Sequence, residues 1–204
     1  MEKFMGRMTF EYLSGATPLD QNESAGLIPQ HITKQAQLNE WEQRNILEAE
    51  KWIIGKQFSL KKVATREFIC NLHRRMFGNT WKWAGKFRQS NKNIGVDWLM
   101  VPIKLKNLCD DLMFQIEKNA FDTDETAMRF HHRLVLIHLF ANGNGRHARL
   151  MTDIILLSQD CERFSWSDHQ SMTSPLVIRK NYIEALRAAD RGDYQLLKIF
   201  LKRQ

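Results

Sequence analysis

The 204-residue chain is 43% hydrophobic and 26% charged, with a formal net charge of +7. That is the composition of one globular domain, long enough to bury a core without covalent staples. The longest apolar run, near Ile154–Leu157, is too short for a bilayer, and the opening MEKFMGRMTFEYLSG lacks the apolar stretch and cleavage site of a secretory leader.

Cys70, Cys109 and Cys161 are odd in number and far apart, which fits reduced core thiols in a cytoplasm rather than a disulfide frame or a zinc site. The positive charge is scattered among acids. It reads as a basic-biased surface that can gather nucleotide or an acidic protein, and it argues against a nucleic-acid partner.

Residues 1–30, with Gly6, Gly15, Pro18, Gly26 and Pro29 in polar filler, read as an irregular arm ahead of a single domain over 31–204. A long helix is expected over 33–53, with Leu38, Trp41, Ala49, Trp52 and Ile53 on its apolar face and Glu40, Glu42, Arg44 and Glu48 largely outside it. A second helix spans 65–77 and stops at Gly78-Asn79. Residues 81–102, rich in aromatic and β-branched side chains and broken by Asn91-Lys92-Asn93 and Gly95, read as a hairpin or extended flap.

Leu105, Leu108, Leu112 and Ile116 mark a third helix over 104–119. A fourth, over 122–138, opens with Asp122 and Glu125 at capping-box spacing. A fifth begins in the glycine-rich break and runs through RHARLMTDIILLS. A sixth covers 178–190, and a last one YQLLKIFLKR. The fold class expected is mostly α with one small β-hairpin flap. Trp41, Trp52, Trp81 and Trp83 are read as core residues rather than a ligand cage.

The densest chemistry lies in HLFANGNGRHAR, His138 to Arg149. Asn142-Gly143-Asn144-Gly145 are residue types that tolerate positive φ, and a turn made of them can aim successive backbone N–H groups into one concavity. The helix that follows adds its own unpaired N–H groups and dipole, and Arg146 and Arg149 project from its first turn. Together they suit a di- or triphosphate.

A histidine beside bound phosphate is well placed to take a proton from an attacking hydroxyl, so His138 is the candidate base. Phe140 is read as the loop's anchor in the core. Neither Cys nor carboxylate accompanies His131, His132 and His138 to complete a metal set. Lys86, Arg88 and Asn93 are further candidates for substrate contact.

This stretch resembles the signature of the Fic family, HxFx(D/E)GNGRxxR, and LHRRMFGNTWKWAGKFR resembles the segment leading to that family's flap. The run from GLIPQHITKQ to ADRGDYQLL is similar to a bacterial branch called mobile mystery protein B. The resemblance implies a helical Fic core with a β-hairpin flap, and transfer of AMP or another NMP from ATP, or another NTP, to a Tyr, Thr or Ser hydroxyl of a target protein.

It implies His138 as general base, Gly143, Asn144 and Gly145 as the anion nest, and Arg146 and Arg149 as nucleotide contacts. The flap, including Ser90, Asn93, Ile94, Gly95 and Val96, would hold the target by strand addition. Glycine at 145, where phosphorylating relatives carry lysine, implies attack at the α-phosphate.

Asn142 replaces the acid that binds Mg²⁺ in the family, so any metal there is held by a neutral amide. The alternative is therefore a nucleotide- or partner-binding Fic fold with weak or no catalysis. No (S/T)xxxE(G/N) inhibitory motif is found, since Ser158-Gln-Asp-Cys-Glu162 is followed by Arg163. Any such inhibitor would be a separate protein, and the branch implies a small helix-turn-helix companion. Oligomeric state stays open.

Overall fold

The structure, a computed structural model, describes residues 17–166 and 175–201. The helices are α1 (Gln21–Ser24), α2 (Gln35–Ile53), α3 (Leu60–Val63), α4 (Arg66–Phe77), α5 (Val101–Glu117), α6 (Thr123–Ile137), α7 (Asn144–Leu157), α8 (Pro175–Ala189) and α9 (Gln195–Leu201), with a 3₁₀ turn over Trp98–Met100. Among the described residues none of them is long and apolar enough to cross a membrane.

Helix starts follow local chemistry. The Thr65 side chain accepts the Phe68 N–H at the start of α4, and the Asp122 carboxylate accepts that of Glu125 at the start of α6. Each satisfies a donor that a helix start leaves without an intrahelical partner. Pro102 sits in the first turn of α5, where its missing N–H costs nothing.

α6 pairs with α7, α2 with α4, α5 with α6, and α8 with α9. The larger core gathers Leu38, Ile46, Ile69, Leu72, Met76, Phe77, Leu105, Leu108, Leu134 and Met151 from α2, α4, α5, α6 and α7. A second core joins Ala127, Met128 and Leu156 to Phe164, Trp166, Tyr182, Ala185, Leu197 and Phe200. α6 and α7 contribute to both, so the turn between them is held from two sides.

Two sequence expectations are corrected. No strand pairing is found among the described residues beyond an isolated antiparallel bridge between Leu27 and Trp81, so the flap is not a β-hairpin. The loop from Gln89 to Asp97 is shaped by a side chain instead. The buried Arg88 guanidinium donates to the Ser90 carbonyl (2.8 Å), to the Val96 carbonyl, and to the His138 carbonyl (2.6 Å). One planar fork saturates the carbonyls that a partner strand would have used.

Glu42 is the second correction. It is buried, on the same face of α2 as Leu38, Ile46, Ala49 and Ile53. Its carboxylate accepts from the Trp81 indole (2.6 Å) and the Arg146 guanidinium (2.7 Å), which is what lets a charge sit there.

The remaining side-chain readings meet direct observations. Trp81 is fully buried and stacks on Trp83, while Trp41 and Trp52 pack on the larger core. All three cysteines are free thiols. His131 bonds Tyr182 and Thr152, and His132 bonds Asp190 and Tyr194.

Candidate active site

α6 ends at Ile137, and its C-cap is His138 itself, in the left-handed conformation (φ 57°, ψ 66°). Glycine is the usual occupant of that position, and a larger residue held there marks a place where the surroundings override local preference. The cap turns the imidazole out of the helix register and towards the chain's amino-terminal strap. There Nε2 meets the Thr17 hydroxyl at 3.2 Å. The ring is buried, and its Nδ1 has no hydrogen-bond partner among the described residues. Burial first, and then the nearby charges of Arg88 and Lys92, lower the His138 pKa to about 4. At neutral pH the ring is therefore unprotonated, as a base must be.

Phe140 is fully buried and stacked on His73 with centroids 3.7 Å apart, the anchoring expected of it. Asn144 clips the turn shut. Its side-chain oxygen accepts the Phe140 N–H (2.9 Å), and its amide donates to the Phe140 carbonyl (2.8 Å). His73 bonds the Asn142 carbonyl (3.1 Å) from below.

Gly143 is left-handed (φ 80°), and a Cβ there would lie 2.6 Å from the Phe77 ring, so both its backbone and its packing demand glycine. α7 begins immediately at Asn144. Its first-turn N–H groups, of Asn144, Gly145 and Arg146, have no intrahelical acceptors and form the anion-facing end. The Asn144 side chain is committed to the turn, which leaves its backbone amide for a ligand.

Asn142 is placed differently from what a metal ligand needs. Its side-chain oxygen turns back to accept the Gly143 N–H at 2.5 Å. Among the described residues no group of three or more His, Cys, Asp or Glu side chains gathers as a metal site. A neutral, already bonded amide oxygen does not fit Mg²⁺, a hard cation that favours carboxylates and phosphates.

Arg146 is held between the Glu42 carboxylate and the face of Phe77, 4.9 Å from the ring centroid. Arg149 lies over Tyr182 (4.8 Å) and Trp166 (5.8 Å). The two therefore diverge from the paired forks that their spacing suggested, each resting on its own aromatic floor. A third arginine joins them, Arg179 of α8. Its pKa is lowered, by burial first and then by the charges of Arg146 and Arg149. Like charges gathered this way stabilise little by themselves and suit a polyanion. Tyr182 organises the group, bonded to His131 (2.8 Å) and to Arg149, with its phenol pushed up to about 12 by burial.

Of the flap residues, Gly95 lies against the candidate base. Gly95 (φ 101°) crosses so close to His138 that a Cβ would fall 2.6 Å from the histidine's Cβ. Ser90 donates to Asp20, and Lys92 pairs with Glu23 and Asp20, so these two loop residues meet the amino-terminal strap. Ile94 is exposed, and Asn93 and Val96 lie on the same loop. Arg88 is buried, with its guanidinium bonded to the Ser90, Val96 and His138 carbonyls.

Sequence reading missed Thr17, Glu42, Arg179 and Tyr182. Glu42 had a legible signal, since it falls four residues after Leu38 and four before Ile46. The other three reach the site only through tertiary packing.

A helical core carrying a histidine cap, a glycine turn and an arginine-bearing helix start defines the class of protein. Residues 63–156 match the Fic/DOC family. A protein adenylyltransferase, fic-1 of Caenorhabditis briggsae, is 33% identical over 129 residues, covering 61% of this chain and 24% of its own length. The chain thus spans about a quarter of that relative.

Two solved structures share the fold. The BepC protein of Bartonella tribocorum, with bound AMPPNP, has a TM-score of 0.68 at 17% identity and covers 89% of this chain and 96% of its own. The amino-terminal Fic domain of Bep8 from Bartonella sp. 1-1C has a TM-score of 0.67 at 15% identity, with 85% and 87% covered.

Proposed function

We propose that this chain is a protein nucleotidylyltransferase, which transfers AMP or another nucleoside monophosphate from an NTP to a Tyr, Thr or Ser hydroxyl of a protein. One observation carries the reading: the neutral His138 imidazole holds an alcohol on Nε2, at the lip of a helix start flanked by arginines. The family match of residues 63–156 and the adenylyltransferase relatives support it at the level of the family.

In this reading the triphosphate rests on the amides of 144–146, and Arg146, Arg149 and Arg179 offset its charge. His138 takes the proton of the attacking hydroxyl, which adds to the α-phosphorus as pyrophosphate leaves. The loop containing Ser90, Asn93, Ile94, Gly95 and Val96 borders the acceptor's path. The transferred base, the cytoplasmic location and any helix-turn-helix companion belong to the same proposal.

The test is label transfer from ATP in the presence of Mg²⁺ and cell lysate. His138→Ala is expected to lower labelling by about 10²–10⁴-fold, the usual contribution of a general base. Equal labelling by wild type and variant overturns the reading.

The Asn142 geometry favours a second one, a Fic fold that binds nucleotide and modifies nothing. Asn142→Asp separates the two. Raised labelling means a catalytic scaffold short of a metal ligand, whereas silence with retained ATP binding means a binding module.

A further inference from the structure

The side chain that meets the candidate base comes from the chain itself. Thr17 is buried, and its Oγ1 lies 3.2 Å from His138 Nε2, the place an incoming acceptor hydroxyl must take. Its position is built rather than incidental. Asp20 and Glu23 close a reciprocal capping box on α1 just downstream. Trp83 donates its indole N–H to the Glu23 carbonyl (2.9 Å).

The nearly buried Lys92 ammonium pairs with the Glu23 carboxylate, lies 3.7 Å from Asp20 and reaches the Pro18 carbonyl at 3.4 Å. Ser90 donates to Asp20 at 3.3 Å. The strap that carries Thr17 is thus fastened to Ser90 and Lys92 of the loop beside His138.

We propose that Thr17 is an intramolecular acceptor, a self-modification site that takes a nucleoside monophosphate; this rests on the transferase reading above. Thr17 Oγ1 bonds to the α-phosphorus of the NTP, and the bond from that phosphorus to the bridging oxygen of the β-phosphate breaks. Pyrophosphate leaves with the electron pair, and the hydroxyl proton passes to His138 Nε2. The product is a phosphodiester on Thr17, formed without any redox change. Holding the alcohol on the base in the folded ground state supplies the orientation that a bimolecular acceptor would have to find by binding.

The experiment uses the full chain with labelled ATP and Mg²⁺, read by peptide mass spectrometry and by label on added lysate proteins. The expected result is one nucleoside monophosphate on the peptide containing residue 17, formed at a fractional rate independent of protein concentration. Thr17→Val, with an unchanged unfolding transition, loses that adduct and gains labelling of lysate proteins, and Thr17→Ser restores the adduct.

Lysate labelling with an unmodified residue 17 overturns the proposal and leaves the transferase reading standing, with Thr17 acting only as a plug. A fractional rate that rises with protein concentration overturns intramolecular delivery. No label on either acceptor overturns both readings.

Discussion

The α6–α7 corner and the loop from Gln89 to Asp97 meet over the same imidazole, yet they are built in opposite ways. The corner is organised by neighbours in sequence: Asn144 clips Phe140, Gly143 supplies the left-handed turn, and α7 starts in register behind it. The loop takes its form from one side chain at its own edge, Arg88, which also ties it to the His138 carbonyl, and from a strap some seventy residues earlier in the chain, as the Asp20–Ser90 bond illustrates. A site can thus pair a self-determined phosphate end with an acceptor end that exists only when tertiary contacts are in place. Substitutions should therefore act differently on the two halves.

The largest stability effect is expected at Arg88. Replacement by Met leaves buried carbonyls at Ser90, Val96 and His138 without their donor, at about 1–3 kcal/mol for each one that finds no water. The loss should exceed about 3 kcal/mol in denaturant titration, and Arg88→Lys should recover little of it, because a point charge cannot reproduce a planar fork. A neutral outcome would show that the loop does not depend on this side chain.

Gly143→Ala tests the corner by local means. A left-handed alanine costs about 1–2 kcal/mol before the clash with Phe77 is counted. The sum should lower Tm by roughly 5–10 °C. Unchanged Tm would mean that the turn is adaptable.

The pH dependence reports on both halves together. Burial is the leading cause that lowers His73 well below its ordinary value, His131 to about 3, and His138 and His147 to about 4. Groups with depressed folded pKa values contribute stability that is complete above the unfolded value near 6.5 and is lost as pH falls towards 4. Asp153, raised to about 7 mainly by burial, works in the opposite sense: its contribution is present at low pH and fades as pH rises through 7. Four groups outweigh one, so Tm should fall steadily between pH 6.5 and 4. A flat Tm across that range would contradict the buried, neutral histidines.

The smallest stability effect is expected at Gly145. A Cβ there meets nothing nearer than Tyr182, at 3.9 Å, so Gly145→Ala should change stability by under about 1 kcal/mol, with the sign favouring alanine in a helix. If labelling nonetheless drops, glycine at 145 serves the approach of the phosphate rather than the fold.

The sequence by itself determined the helical course of the chain, the core faces of its long helices and the turn at 142–145, because periodicity, caps and glycine placement act within a few residues. It also marked His138 and Arg146 as chemistry. Tertiary structure decided the rest. Glu42 became the buried partner of Arg146, Arg88 replaced an expected hairpin, Arg179 joined the arginines, and Thr17 came to rest on His138. None of these pairings follows from spacing, since each depends on which distant side chain first satisfies a buried charge or an unpaired carbonyl once the helices have packed.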